Sequence, residues 1–314
     1  KNSWKIIMEW FKNANYDFQK IRRKAIAVSA LVILAGIISL IIRGGPNYSI
    51  DFRGGISVQL RFQKPISEGD VRGVMSRINL GDSEIKRISE LGGASDIQIQ
   101  FKRTEAGEGT VDQIKAALQQ AFPDNPFDVR QVETIGPKIG KELRGKAVWA
   151  SIIAMLGILI YVSARFEFLF SLAAVLALFH DVLVTVGIFS ILGKEMSLTI
   201  VAALLTIIGY SINDTIVIFD RIRENLKRLK TKGLEEIINI SINQTLSRTI
   251  VTNLTVFIVL WILFIFGGTL IRDFALALLI GSFAGTYSTI YIASPILIEW
   301  NARAEKLQKR KTQR

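Results

Sequence analysis

The sequence predicts a membrane-embedded, all-α bundle of six helices with one α+β extracytoplasmic domain inserted after the first helix. Three observations predict it. Half of the 314 residues are hydrophobic. Six separate stretches approach the ~20 apolar residues that a helix needs to cross a ~30 Å hydrocarbon layer. The long segment between the first two stretches alternates between strand and helix patterns instead.

The six stretches are residues 25–42, 147–164, 168–192, 198–219, 249–266 and 274–298. Each mixes glycine and small residues with Leu, Ile, Val and Phe, as helices packing in lipid do. The formal charge of +12 gathers at three places. Lys20, Arg22, Arg23 and Lys24 precede the first stretch, Arg221 to Lys232 follow the fourth, and Arg303 to Arg314 close the chain. Cytoplasmic segments hold the excess of Lys and Arg. Residues 1–24, the basic loop 220–248 and the tail 299–314 are therefore placed inside, and residues 43–146 outside. Basic clusters beside apolar spans serve orientation in a lipid bilayer, so nucleic acid is not an expected partner. The basic leader is too long for a signal peptide, and Arg43-Gly44-Gly45-Pro46 lacks a small-x-small cleavage site. The first span reads as an uncleaved anchor. In residues 234–247, Ile237, Ile238, Ile242 and Leu246 oppose Glu235, Asn239, Asn243 and Ser247. Two readings stay open there: a helix lying at the inner interface, or an extension of the fifth span.

In the outer domain, Ile56, Val58, Leu60 and Phe62 alternate with polar residues and predict a half-buried strand. Val71, Val74, Met75 and Ile78 follow at helical spacing, with Ser67 as cap. Residues 84–90 form a weaker strand, Gly92-Gly93 a turn, and Ile97, Ile99 and Phe101 the second arm of a hairpin. Val111, Ile114, Leu118 and Phe122 mark another helix. Phe127, Val129 and Val132 mark a last strand. The order β-α-β-β-α-β is the ferredoxin-like arrangement, with one sheet face left for solvent or a partner. Gly54 and Gly55 suit a tight turn, and a hinge, where the domain leaves the membrane.

Charged residues inside spans are costly and face the bundle interior or a water path. Asp181 lies mid-way along the third span after His180, on a stripe with Ala173, Ala177 and Thr185. Asp214 lies in the fourth span after Asn213, on a stripe with Ala202, Thr206 and Tyr210. Arg248 opens the fifth span; it either snorkels to the inner interface or pairs with Asp214. Each acid is either a structural, hydrogen-bonded carboxyl or a proton carrier. Burial favours a bound proton and a nearby guanidinium opposes it. Gly281 and Gly285 form a GxxxG pair in the sixth span, a close helix contact.

Other chemistry is excluded or disfavoured. The chain has no cysteine and one histidine, which removes disulfides, thiol catalysis, Cys-ligated metals and multi-His metal sites. No Gly-rich loop opens a helix after a strand, so no dinucleotide site is expected. His180 and Asp181 point about 100° apart on a helix, which argues against an intramembrane protease. No metal, no cofactor and no enzymatic activity are expected.

Five motifs together resemble the SecD/SecF family of the bacterial Sec protein-export machinery, relatives of the resistance-nodulation-division (RND) transporters. They are Asp51-Phe52-Arg53-Gly54-Gly55, the Glu133–Leu143 run, His180-Asp181, the run from Gly209 to Asn225 around Asp214, and Gln244 to Thr249. The resemblance implies a subunit that uses the proton-motive force to promote late polypeptide export across the bacterial inner membrane, with Asp214 and Arg248 as the proton-pathway pair and Asp181 a lesser member. It implies a SecD partner, separate or fused, the SecYEG translocon, and the translocating polypeptide. Such transporters have twelve spans in two halves, so six spans make one RND-like half. The alternatives are an RND-type exporter of a small molecule or lipid, and a passive scaffold.

Overall fold

Lipid offers a backbone amide no hydrogen-bond partner, so each spanning stretch folds as a helix. The computed structural model describes residues 14–89, 95–101 and 109–312, and among these six helices are long and apolar enough to cross a membrane. The first is α1 (Arg22–Ile42). One helical turn follows, α2 (Ile50–Arg53), capped by the Ser49 hydroxyl, which accepts from the Asp51 amide. The outer domain then runs β1 (Gly55–Phe62), α3 (Glu68–Arg77), β2 (Glu84–Ser89), β3 (Ser95–Phe101), α4 (Thr110–Ala121) and β4 (Phe127–Ile135). This is the predicted order; the Gly92-Gly93 turn lies outside the described residues.

The strands align as β2-β3-β1-β4, antiparallel throughout. Side chains alternate across a strand, so Val58, Leu60 and Phe62 join Ile97, Ile99 and Phe101 on one face. Val71, Val74 and Met75 of α3 and Ile114 and Leu118 of α4 close that core. Sequence left the opposite, polar face for solvent or a partner. It faces instead the end of the bundle that carries residues 193–197. Ser57, Gln59, Lys86 and Gln98 share a cavity of about 130 Å³ with Glu195, Ser197 and Asp273. Lys86 Nζ meets Glu195 Oε1 at 2.5 Å and Glu84 Oε1 at 2.9 Å. Burial pushes the Glu195 carboxyl up against the pull of Lys86, and the Glu84 carboxyl beside it adds to the push.

After Gly136 comes α5 (Pro137–Arg165), with proline at its start. The second helix therefore begins ten residues before the predicted 147, because a proline at N1 is preorganised for a helix. It takes the end of the predicted 43–146 domain with it. Then come α6 (Phe168–Ile191), α7 (Leu198–Arg228) and α8 (Leu234–Phe266). The predicted basic loop 220–248 is mostly helix. Residues 234–247 extend the fifth span, and Ile237, Ile238, Ile242 and Leu246 are buried as predicted. The last span is α9 (Thr269–Ser288), a π-helical turn at Thr289–Ala293, and α10 (Ser294–Thr312). At the end of the bundle away from the sheet, Asn239 and Asn243 of α8 bond the backbone of Tyr16 and Phe18, strapping the N-terminal segment down.

The glycines fix two junctions. Gly54 has φ +75°, and a Cβ there would lie 2.7 Å from Pro137; one at Gly55 would lie 2.7 Å from the Phe101 carbonyl. This tight turn is closely packed against the start of α5. Gly281 and Gly285 press α9 onto Ile207 and Ser211 of α7, the close contact expected from GxxxG.

Candidate functional site

Two carboxylates lie within the helix layer. Asp181 sits at its centre with no exposed surface. The stripe Ala173, Ala177, Asp181 and Thr185 is buried throughout, as its small residues require for close helix approach. Asp181 Oδ2 accepts from Ser211 Oγ of α7 at 2.6 Å and faces Ser288 Oγ of α9 at 3.0 Å. Its Oδ1 lies 2.9 Å from His180 Nδ1. The other ring nitrogen of His180 bonds the Ser29 hydroxyl on α1. Although His180 and Asp181 leave the helix about 100° apart, their side chains bend together. Four spans thus meet at one acid.

Ser288 gives this node two settings. Its hydroxyl also lies 3.1 Å from the Gly285 carbonyl. A hydroxyl has one proton to donate. An ionised Asp181 receives it; a protonated Asp181 donates to Ser288 Oγ, and the serine proton turns to Gly285. The Thr215 and Thr289 hydroxyls, 2.9 Å apart, continue the polar contact between α7 and the π-turn. Wide turns inside helices concentrate at functional sites.

Asp214 is 6% exposed, between α7 and α8. Its Oδ2 accepts from Asn253 Nδ2 at 2.8 Å, and Tyr210 OH donates to Asn253 Oδ1 at 2.6 Å. The predicted Asp214–Arg248 ion pair is not formed: among the described residues, no basic group lies within 4.0 Å of Asp214. Arg248 is exposed and lines a recess of about 300 Å³ with Asp220, Glu224 and Gln244. Snorkelling explains this, since the flexible stem carries the charge to the wet end of the helix.

Of the predicted supporting residues, Tyr210 and His180 join the two acids. Thr206 and Asn213 do not; with Ala202 and Gly209 they form an exposed stripe along α7. The buried face of α7 is offset by one residue, through Ala203, Ile207, Ser211 and Thr215. Sequence reasoning missed Asn253, Ser211, Ser288 and Ser29. Asn253 was findable, as an amide inside the apolar run 249–266. The serines were not, because serine is common in membrane helices whatever its role.

The family model for the C-terminal region of SecD/SecF protein export membrane proteins matches residues 113–303, and that for the SecD/SecF GG motif matches residues 38–66. Protein translocase subunit SecF of Rhodothermus marinus is 42% identical over 307 residues, covering 95% of this chain and 97% of that protein. Its counterpart in Endomicrobium trichonymphae is 41% identical, covering 95% and 96%. The crystal structure of SecDF, a translocon-associated membrane protein from Thermus thermophilus, superposes with a TM-score of 0.82 at 36% identity. That match covers 93% of this chain and 40% of the SecDF chain, so this chain spans well under half of that protein.

Proposed function

Since the chain belongs to the SecD/SecF family of protein-export membrane proteins, we propose that proton binding at Asp214 and Asp181 drives its work in protein translocation. It is a multi-pass membrane protein and an accessory subunit of Sec translocation. The energy source, the orientation with both termini in the cytoplasm of a bacterial inner membrane, and the absence of a cofactor or catalytic step belong to the proposal. So do partnership with SecYEG and contact with the emerging polypeptide.

The observation that carries the reading is the pair of buried acids, each tied across helices by neutral donors. Such an acid can exist charged or protonated, and each state wants a different set of hydrogen-bond directions. Asp214, through Asn253, ties α7 to α8. Asp181, through Ser211 and Ser288, ties α7 and α9 to α6. A proton arriving at either acid rewrites bonds between helices, and one charge crossing 100 mV supplies ~2.3 kcal/mol to do so. Arg248, at the inner end of the same face, is the cation whose field helps to discharge Asp214 inward. A SecD half supports this arrangement by covering the exposed small and polar stripe Ala202, Thr206, Gly209 and Asn213, which suits close helix contact better than lipid.

The test is proton-gradient-dependent export in sealed vesicles with Asp214→Asn, with Asp181→Asn beside it. Loss of the gradient-dependent part in Asp214→Asn, with assembly intact, is the expected result. Full export in that variant overturns the reading.

A further inference from the structure

On the side of the bundle away from the α7 stripe, α1 and α8 stand apart over a floor made by α6 and α9. The groove between them has a volume of about 750 Å³. Its walls include Val28 and Val32 of α1, Leu254 and Trp261 of α8, Val184 of α6 and Phe283 of α9. Val28, Trp261 and Phe283 are more than half exposed, so the groove opens sideways. Every lining residue belongs to a helix long and apolar enough to span a membrane.

We propose that this groove is a binding site for the acyl chain of a resident bilayer lipid. Three observations choose that occupant. The medium at this depth is hydrocarbon, so the groove fills with chains rather than water. The polar groups that reach it are already engaged: Ser29 with His180, His180 with Asp181, and Tyr287 OH with the Ala25 carbonyl at 2.5 Å. Nothing is left to read a headgroup or a polar cargo, and a methylene chain matches what remains. The volume lies in the range of small-ligand sites.

The bound chain has a consequence for the acid node. His180 is 7% exposed, lines the groove and stacks on Tyr287 at 6.3 Å between ring centroids. A seated chain seals this flank of the His180–Asp181 pair against water. That consequence rests on the proton reading above; the binding does not.

The experiment is tryptophan quenching by brominated lipid. The full-length chain keeps Trp261 alone, with the other four tryptophans changed to Phe, and is reconstituted in phosphatidylcholine vesicles with a graded fraction of dibrominated chains. A second version keeps only Trp149, 64% exposed on α5, as the reference for ordinary surrounding lipid. Host and brominated chains fit the groove alike, so Trp261, beside one seated chain, is expected to quench about in proportion to the brominated fraction, whereas Trp149, touched by several lipids, quenches more steeply and reaches half-quenching at a lower fraction. Val32→Phe, which narrows the groove, is expected to bring Trp261 back to the reference curve. If Val32→Phe does not assemble, Ala284→Phe fills the floor instead. Coincident curves for the two tryptophans overturn the proposal. So does a Trp261 curve unmoved in an assembled, groove-filled variant, or protection of Trp261 when the SecD half is co-reconstituted. None of these outcomes depends on export, so Asp214→Asn and this test fail separately.

Discussion

Replacing Asn253 by leucine removes one amide and three hydrogen bonds at once: two between helices, its donation to Asp214 and its acceptance from Tyr210, and one to the Thr249 carbonyl of its own helix. The branch point and the number of side-chain heavy atoms are kept, so the change in shape is small. Interhelical hydrogen bonds in membrane bundles average ~0.6 kcal/mol and reach ~1.7. Two of them come to about 1.2 kcal/mol, a roughly sevenfold change in a folding equilibrium at ~1.4 kcal/mol per decade. The assay is reversible unfolding in mixed detergent micelles, run as a double-mutant cycle with Asp214→Ala. Because Asn253 donates to Asp214, the two changes are expected to be sub-additive by about 0.6 kcal/mol or more. Tyr210→Phe removes only the outer bond and should cost about half as much as Asn253→Leu. Strict additivity of the Asn253 and Asp214 changes would refute the pairing, and with it the idea that Asp214 reports its proton to α8 through this amide.

Three further outcomes follow from geometry elsewhere. Gly281→Val drives a branched side chain into Ile207 of α7; overpacking of this kind costs about 1–3 kcal/mol, read as a lower unfolding midpoint with the outer domain unaffected. Lys86→Met breaks the contact to Glu195 and leaves that half-buried carboxyl beside Glu84 without its cation. Faster hydrogen exchange in residues 193–197 and in β2 is expected, with the sheet core unchanged. Asp96 is the pH-dependent case. Burial raises its pKa, but bidentate Arg61 and the Gln59 amide outweigh this and hold it below the usual 3.8. Its contribution is therefore complete above that value and is lost as pH falls through the depressed one. Exchange across β1 and β3 should quicken in that acid window, and Asp96→Asn should flatten the dependence.

The outer domain was legible almost residue by residue, because period-two alternation in Ile56–Phe62 and the Ser67 cap are local signals that tertiary contacts did not override. The six spans were legible for the same reason, although their ends were not. Pro137 starts its helix well outside the apolar run, and the amphipathic turns at Ile237–Leu246 carry α8 past the membrane edge. The acids themselves stood out, since a carboxylate in an apolar run is rare. Their partners did not. Which face of α7 is buried depends on where α9 crosses it at Gly281 and Gly285, and a one-residue offset moves the contact from Thr206 to Ile207 and from Tyr210 to Ser211. Arg248 illustrates the other failure: depth along a helix says nothing about which way a long stem bends. The docking of the polar sheet face on Glu195 joins residues more than a hundred positions apart, and no local pattern announces it.

The π-turn in the last span has a mechanical corollary. Compared with an ordinary helix it stores one surplus residue, and a surplus of that kind can migrate along the rod without lengthening it. Each step of travel spins the residue it passes by about 100°. Ser288 is the first such residue on the outer side of Thr289. One step would swing its hydroxyl out of reach of Asp181 while both ends of the span stay fixed. A rod built this way can twist in its middle with no bending loop at all.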